Sequence, residues 1–283
     1  MIEISHLEKT FEQPGGDEVR ALRGVDLTIP EGEFLTVIGS NGSGKSTILN
    51  AIAGTFFPDS GSIRIAGRDV TALPEHKRAS LIGRVFQDPF KGSAPSMTVA
   101  ENMRMAELRG ERHLLRRGLD RHSLDRYREL LASLRMRLEG RLEAQMGTLS
   151  GGQRQAVTLI MATLKRPALL LLDEHTAALD PRAADQVMMV TDTVVRSQKL
   201  TTLMVTHSME QAVHFGDRTI MMHRGSIVAD MAGDARRGMN EADLLKKFAD
   251  LRWTAEVRMT QELAAAIAAA DREEAERGTP PAS

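Results

Sequence analysis

Short apolar runs separated by glycine-containing turns fill the first ninety residues and return after residue 150. Three of these runs, at 34–38, 168–172 and 201–206, contain no charged side chain. Runs of this length and composition are typical of parallel strands that are buried on both faces of a sheet. Helical periodicity follows at 46–54 and at 153–164. The pattern predicts an α/β domain with a central, mostly parallel sheet.

The pattern changes between residues 92 and 147, where arginine and leucine recur at helical spacing, as in 99–108 and 124–138. We therefore predict a helical subdomain at 92–147, inserted between two parts of a core at 1–91 and 148–233. Its arginines include Arg112, Arg116, Arg117 and Arg121. They could form a phosphate or nucleic-acid patch, but Glu111, Asp120 and Asp125 are interleaved, which favours a solvated helix face.

A C-terminal helical extension is predicted at 234–283, with helices at 241–248 and 254–277. The second helix is rich in alanine and glutamate. It could stabilise a dimer, act as a regulatory extension or pack on the core, and the sequence does not choose among the three.

A glycine-rich motif follows the 34–38 run and matches the phosphate-binding P-loop at every fixed position. Its glycines let the backbone wrap around phosphates, Lys45 supplies a compact positive charge, and the Ser46 hydroxyl can bind Mg²⁺. The alternative is a structural glycine-rich turn before a helix. The predicted nucleotide ligands here are Gly39, Ser40, Asn41, Gly42, Ser43, Gly44, Lys45, Ser46 and Thr47.

Two carboxylates, Asp173 and Glu174, end the apolar run at 168–172. Acids at the carboxyl end of a buried parallel strand lie where α/β sheets bind their ligands. We predict that Asp173 holds Mg²⁺ and that Glu174 polarises the water that attacks the γ-phosphate. The alternative is a core strand that ends in solvated acids.

A second candidate anion site lies at Ser150, Gly151, Gly152 and Gln153, which open the helix predicted at 153–164. A hydroxyl and unhindered backbone N–H groups at a helix start suit the terminal phosphate of a nucleotide. Two anion sites in one small domain are best explained if each serves half of a nucleotide. Two copies of the chain would then close over two ATP molecules.

With four further features, these motifs make the chain resemble the nucleotide-binding subunit of an ATP-binding cassette (ABC) system, from about residue 2 to about residue 230. The further features are Phe11, Gln87 within the sequence VFQDP, the Ala-Leu-Asp turn at 178–180, and His207. The resemblance implies a P-loop NTPase fold, with a RecA-like core, an antiparallel β subdomain and an inserted α-helical subdomain. It also implies an ATP hydrolase whose cofactors are ATP and Mg²⁺.

Each minor feature has a functional and a structural interpretation. Phe11 would stack on adenine, or it is an ordinary core phenylalanine. Gln87 would reach the metal or the attacking water, so we predict it as both a catalytic residue and a metal ligand. The alternative is a solvated loop amide. His207 would bond the γ-phosphate as a catalytic residue, or it is structural.

The sequence departs from the commonest family pattern after Glu174. His175 stands where a proline is frequent, and alanines occupy 177 and 178 in place of a more usual Ser-Ala or Gly-Leu pair. A histidine beside the catalytic carboxylate predicts activity that is sensitive to pH between about 5 and 8. The alternative is a neutral histidine that fills space.

Composition narrows the function further. The formal net charge of −1 gives no bulk electrostatic argument for nucleic acid. The absence of cysteine excludes disulfides and is compatible with a reducing compartment. The amino terminus lacks the layout of a signal peptide, and the longest apolar run, at 263–270, is too short to cross a membrane. We therefore expect a soluble chain.

The resemblance implies a head-to-tail homodimer that forms with ATP and drives separate transmembrane permease subunits, and through them a solute-binding protein. The chain would be cytoplasmic and peripheral on the inner face of the plasma membrane, with no nucleic acid as a partner. By analogy, the VFQDP and EHTAALD sequences favour import of amino acids or similar small solutes. The competing interpretation is a cassette ATPase acting on the ribosome or on DNA. The sequence does not identify the transported substrate.

Overall fold

The computed structural model describes residues 1–13, 16–110, 118–236, 238, 240–247 and 249–250. Up to residue 236, the described part of the chain has ten strands and seven α-helices. The strands are β1 (Ile2–Glu12), β2 (Glu18–Ile29), β3 (Phe34–Gly39), β4 (Ser60–Ile65), β5 (Arg68–Asp69), β6 (Ile82–Val85), β7 (Leu169–Asp173), β8 (Thr202–Val205), β9 (Arg218–His223) and β10 (Ser226–Ala232). The helices are α1 (Lys45–Ala53), α2 (Glu75–Arg78), α3 (Val99–Glu107), α4 (Arg121–Ser133), α5 (Gly151–Thr163), α6 (Pro181–Gln198) and α7 (Met209–His214).

The larger sheet carries the P-loop and the acidic strand end on the same edge. Its strand order is β10-β9-β3-β8-β7-β6, and every pairing is parallel except that of β10 with β9. The P-loop follows β3 and Glu174 follows β7, with β8 between them, so the carboxyl ends of these strands meet at one edge. The α/β fold with a mostly parallel sheet is confirmed.

The smaller sheet is antiparallel, with the order β2-β1-β4-β5. Helix α1 lies between the two sheets, because Ile48, Leu49 and Ile52 share one buried apolar cluster with residues of both, such as Ile2 of β1 and Leu203 of β8. This packing fixes the helix that opens at the P-loop.

Helices α3 and α4 form a second apolar cluster with α5, in which Met103, Tyr127 and Leu131 are fully buried. The predicted helix at 124–138 in fact ends at Ser133. Arg135 and Arg137 have φ angles of +54° and +55°, a left-handed backbone that an α-helix does not accommodate. The limits of the helical subdomain at 92–147 stay a prediction.

Beyond β10, residues 241–247 are helical. Leu244 is buried there against Ile38, Ala212, Met221 and Met231, so this helix packs on the core. The alanine-rich helix predicted at 254–277 lies outside the described residues. In the described ranges no helix combines the length and the apolar character that a membrane crossing requires.

Candidate nucleotide-binding site

The P-loop is shaped by close backbone contacts at two glycines. A Cβ added to Gly39 would lie 2.4 Å from the Met222 carbonyl oxygen, and one added to Gly44 would lie 2.8 Å from that of Ala21. Gly44 also has a φ of +103°, which side chains rarely adopt. No side chain caps the start of α1, so its first N–H groups face the loop and are suited to an anion.

Lys45 lies inside this loop. Its Nζ donates to the carbonyl oxygens of Gly39 at 2.9 Å and Ser40 at 3.1 Å, and the residue is 5% exposed. Burial lowers the pKa of Lys45, and the negative charge of Glu174 opposes that shift. The Ser43 hydroxyl is buried nearby and finds no hydrogen-bond partner in the described part of the chain. A charged lysine and a spare hydroxyl in one backbone loop fit a phosphate group.

A cavity of about 540 Å³ opens beside the P-loop. Glu174 reaches it from β7, and Arg20, Arg23 and Arg224 reach it from β2 and from the turn after β9. The P-loop residues that line it are Asn41, Gly42, Ser43, Gly44, Lys45, Ser46 and Thr47. The three arginines add positive charge to a phosphate site, and they could not be predicted from the sequence because they lie in no motif.

The two carboxylates at the end of β7 line different cavities. Glu174 lies 3.4 Å from His207, measured from Oε2 to Nδ1, and its backbone has a φ of +45°. Asp173 instead lines a second cavity of about 710 Å³ together with Gln87. Asp173 Oδ2 lies 3.1 Å from the guanidinium of Arg84. The structure therefore pairs Glu174 with His207, and it places Asp173 with Gln87 in a different cavity. That these four residues act in one site stays a prediction.

Phe11 lies on β1 opposite Val19, a residue that lines the P-loop cavity. Its ring packs edge-on against Phe56, with the ring centroids 5.1 Å apart. Phe11 is 38% exposed, which excludes the interpretation as an ordinary core residue. The adenine contact stays a prediction.

The second anion motif opens α5 on the surface. Ser150 caps the helix by accepting from the Gln153 N–H, and Gln153 accepts from the Ser150 N–H, each at 3.3 Å. A Cβ on Gly151 would lie 3.0 Å from Leu179 and one on Gly152 would lie 3.1 Å from Ala183. Among the described residues, none of these four lines the P-loop cavity. A single chain therefore does not bring the two anion motifs into one cavity.

The sequence model of the family described as ABC transporter matches residues 22–177, more than half of the chain. The chain belongs to the ABC transporter family. It is 42% identical over 248 residues to the tyrosine transport ATP-binding protein of Clostridioides difficile, which covers 88% of this chain and 98% of that protein. It is 37% identical over 223 residues to the lipoprotein-releasing system ATP-binding protein LolD 1 of Caulobacter vibrioides, covering 77% and 91%.

Solved structures of ABC cassettes have the same fold. One is the dimeric, post-hydrolysis state of the ATP-binding cassette MJ0796 bound to ADP and Pi. It matches with a TM-score of 0.71 and 28% identity, over 84% of this chain and all of that chain. As a member of the ABC transporter family, this chain is an ATPase that binds and hydrolyses ATP in the service of transport.

Within this ABC ATPase, the residue after the acidic strand end is fully enclosed. His175 Nε2 lies 3.0 Å from the Thr191 hydroxyl, and burial lowers the pKa of His175 to about 4. The ring is therefore neutral from pH 5 to 8. The expectation that His175 makes activity sensitive to pH in that range is wrong, and the neutral, space-filling histidine is the better description.

Other residues of the cassette join its motifs but carry no motif signal of their own. Gln211 accepts from the Thr206 hydroxyl at 2.8 Å and donates to the Thr176 hydroxyl at 3.0 Å. It thereby ties the turn before His207 to the turn after Glu174. Arg154 of α5 stacks 3.8 Å from the ring centroid of Phe90, in the loop after Gln87. Helix α5 and the loop after Gln87 are thus in direct contact.

The oxygen atoms at this site suit Mg²⁺, a hard cation that prefers oxygen ligands. Ser46 offers a hydroxyl, Asp173 a carboxylate and Gln87 an amide oxygen. Asp173 and Gln87 line one cavity, while Ser46 lines the other beside Glu174, the neighbour of Asp173 in sequence. The chemistry of these donors suits the metal, and a Mg²⁺ site formed by them stays a prediction.

Proposed function

We propose that this chain is the ATPase subunit of an importer for amino acids or similar small solutes. The observation that carries this proposal is the 42% identity to a tyrosine transport ATP-binding protein along 88% of the chain. The identity to the lipoprotein-releasing relative is lower and covers less of the chain. We find no specific observation in favour of the ribosome or DNA alternative.

In this proposal the P-loop backbone and Lys45 hold the β- and γ-phosphates of ATP. Bound Mg²⁺ would neutralise developing charge on the phosphates, and Ser46, Asp173 and Gln87 are the residues that would hold it. Glu174 polarises the attacking water as general base. His207, whose Nδ1 lies 3.4 Å from Glu174 Oε2, would donate to the γ-phosphate.

The proposed active unit is a head-to-tail homodimer that forms with ATP. The surface position of the α5 start supports it, because Ser150, Gly151 and Gly152 are separate from the P-loop cavity of their own chain. The dimeric MJ0796 cassette gives a precedent for dimers in this fold. ATP would join the subunits, and loss of the γ-phosphate would release them, a ligand-dependent shift of population.

The proposed permease contact is a groove of about 540 Å³ between the core and α3 and α5. Phe86, Met105 and Met161 give it apolar walls, and the residues that follow Gln87 lie at its edge. A short cytoplasmic helix of a permease fits such a surface. The chain would then work at the inner face of the plasma membrane, with a solute-binding protein as an indirect partner and no nucleic acid.

Glu174→Gln tests the dimer and the chemistry together. We expect the variant to bind ATP, to elute as a dimer with millimolar ATP and as a monomer with ADP, and to lose ATP turnover by about two orders of magnitude. Size-exclusion chromatography with light scattering and a phosphate-release assay would measure both. Wild-type turnover in Glu174→Gln would remove Glu174 from its role, and a monomer at every ATP concentration would remove the dimer.

The import proposal needs a cellular measurement. In cells that lack this chain, we expect uptake of radiolabelled tyrosine or another amino acid to fall, to return with the wild-type chain and to stay low with Glu174→Gln. Unchanged amino-acid uptake together with loss of an export activity would support the opposite direction of transport.

A further inference from the structure

Arg84 is a cation built into the proposed metal site. It lies on β6, and one terminal nitrogen of its guanidinium is 3.1 Å from Asp173 Oδ2 and 2.7 Å from the Asn50 side-chain oxygen. Its Cζ lies 4.6 Å from the ring centroid of Phe86, and its side chain is 13% exposed. The other terminal nitrogen lies 3.5 Å from the Thr55 hydroxyl and 3.9 Å from the more distant carboxylate of Glu75. One charged group thus joins α1, α2, β6 and the end of β7.

If the role of Arg84 were only structural, burial of its charge would cost folding free energy. The Nε of Arg84 is buried, and among the described residues it has no hydrogen-bond partner. A mostly buried charge that keeps one donor unpaired is unfavourable compared with an apolar side chain of similar size. The guanidinium of Arg84 lies over the ring of Phe86, and a methionine of similar length could occupy that space. The position of the charge therefore calls for a role beyond packing.

Asp173 is the group on which that charge acts most directly. A unit positive charge in contact with a carboxylate offsets much of its negative potential, and it repels a second cation at the same carboxylate. Asn50 provides a neutral acceptor that holds the guanidinium in place, so Arg84 can stay at the site when Asp173 turns to another partner. Arg84 and Mg²⁺ would then compete for the charge of Asp173.

We propose that Arg84 is a positioning residue that acts through Asp173 and limits how strongly the site holds its divalent cation. The inference rests on the proposed function, in which Asp173 is a ligand of Mg²⁺. Its consequence is a site that takes up a metal–nucleotide complex without retaining it after hydrolysis. Release of product sets the turnover of many enzymes, so a moderate hold on the metal favours the cycle.

The test measures how much Mg²⁺ strengthens nucleotide binding, in a Glu174→Gln background that prevents turnover. Binding of a fluorescent ATP analogue is titrated with excess Mg²⁺ and again with EDTA, and the ratio of the two dissociation constants is the metal enhancement. We expect Arg84→Met to raise this enhancement by about tenfold, the effect of one removed charge beside a carboxylate. Arg84→Lys keeps the charge and should stay within about twofold of the parent.

Three further variants make the result decisive. Arg109→Met removes an arginine from the same groove, one that donates to the Ala162 carbonyl, and should leave the enhancement unchanged. Arg84→Gln gives a second neutral side chain, which decides the matter if thermal melts show that Arg84→Met is unfolded. An unchanged or lower enhancement in a folded neutral variant would overturn the role of Arg84. If Asp173→Asn leaves the enhancement of the parent intact, the failure lies with the proposed metal role of Asp173.

Discussion

The P-loop and the Ser150–Gln153 corner are both glycine-rich turns that open a helix, yet they are built differently. At the P-loop, the glycines approach backbone carbonyls, and the helix start has no side-chain cap. At α5, the glycines approach the side chains of Leu179 and Ala183, and a capping box closes the helix start. Lys45 gives the first turn a buried positive charge, while the second turn has exposed residues at its tip.

The P-loop has the features of a complete phosphate-binding site, whereas the Ser150–Gln153 turn has those of a partial site. The P-loop holds its N–H groups, its lysine and its cavity within one chain, so it can bind phosphate alone. At α5 the Ser150 side chain already occupies one N–H group, and a lone helix start on the surface attracts an anion only weakly. In the proposed dimer, the second turn would gain a useful affinity only when another chain brings a phosphate to it.

The largest effect should come from removing the positive charge of the P-loop. We expect Lys45→Ala to weaken ATP binding by about two orders of magnitude, because charge-assisted contacts to phosphate are lost from a buried loop. Isothermal titration with ATP and Mg²⁺ measures it. Lys165→Ala is a matched control, because Lys165 also donates to a main-chain carbonyl, that of Arg109. Near-normal affinity in Lys45→Ala would mean that the P-loop is not the primary phosphate site.

A smaller effect, mainly on ATP turnover, is expected at the Ser150–Gln153 turn. Ser150→Ala should leave ATP binding within about twofold, cost about 1 kcal/mol of stability through the lost cap, and lower turnover by about tenfold to a hundredfold. Equilibrium binding, urea unfolding and phosphate release measure the three quantities.

Thr98→Ala provides the control for that variant, because Thr98 and Glu101 form the same kind of capping box at the start of α3. It should lose similar stability and keep its turnover. If the two variants lose turnover equally, the Ser150 hydroxyl is a helix cap and no more. If Ser150→Ala weakens ATP binding as strongly as Lys45→Ala, the two turns act within one chain.

The fold could be predicted wherever one local pattern decided the structure. The charge-free runs at 34–38 and 168–172 became β3 and β7 because both faces of these strands are buried. The end of α4 could not be predicted, since Arg135 and Arg137 adopt a left-handed backbone that depends on their surroundings. Arginine itself favours helix, so the sequence pattern ran on past the true end.

In the candidate site, too, only features that are local in the sequence could be predicted. The P-loop and the Ser150–Gln153 corner are contiguous in sequence, and their chemistry can be read from adjacent residues. Arg84 meets Asp173 across 89 positions, and Gln211 meets Thr176 across 35, so neither contact leaves a local signal. For His175 the sequence left two interpretations open, because its neighbour Glu174 suggested an accessible setting and only the fold shows that the ring is enclosed.

The smallest effect on catalysis is expected at His175, which lies behind Glu174 and belongs to neither turn. The Thr191 hydroxyl donates to the Val187 carbonyl, so the Nε2 of His175 must be the donor in their contact. His175→Gln keeps a nitrogen donor there and removes the titrating ring. Since the ring is neutral above its pKa of about 4, the variant and the wild type should have pH–rate profiles of the same shape between pH 5 and 8.

Replacing His175 should change the pH dependence of the free energy of unfolding, although it leaves the shape of the pH–rate profile unchanged. The pKa of His175 is about 4 in the folded chain and 6.5 at its ordinary value, so the unfolded chain binds more protons between these limits. The free energy of unfolding therefore falls as the pH drops below 6.5, and this one group should remove about 2 kcal/mol between pH 8 and pH 5. His175→Gln should lack that part of the decline, as urea unfolding at the two pH values would measure. Equal declines in the two proteins would show that the His175 ring takes up protons in the folded state as readily as in the unfolded state. The description of His175 as an enclosed, neutral side chain would then be wrong.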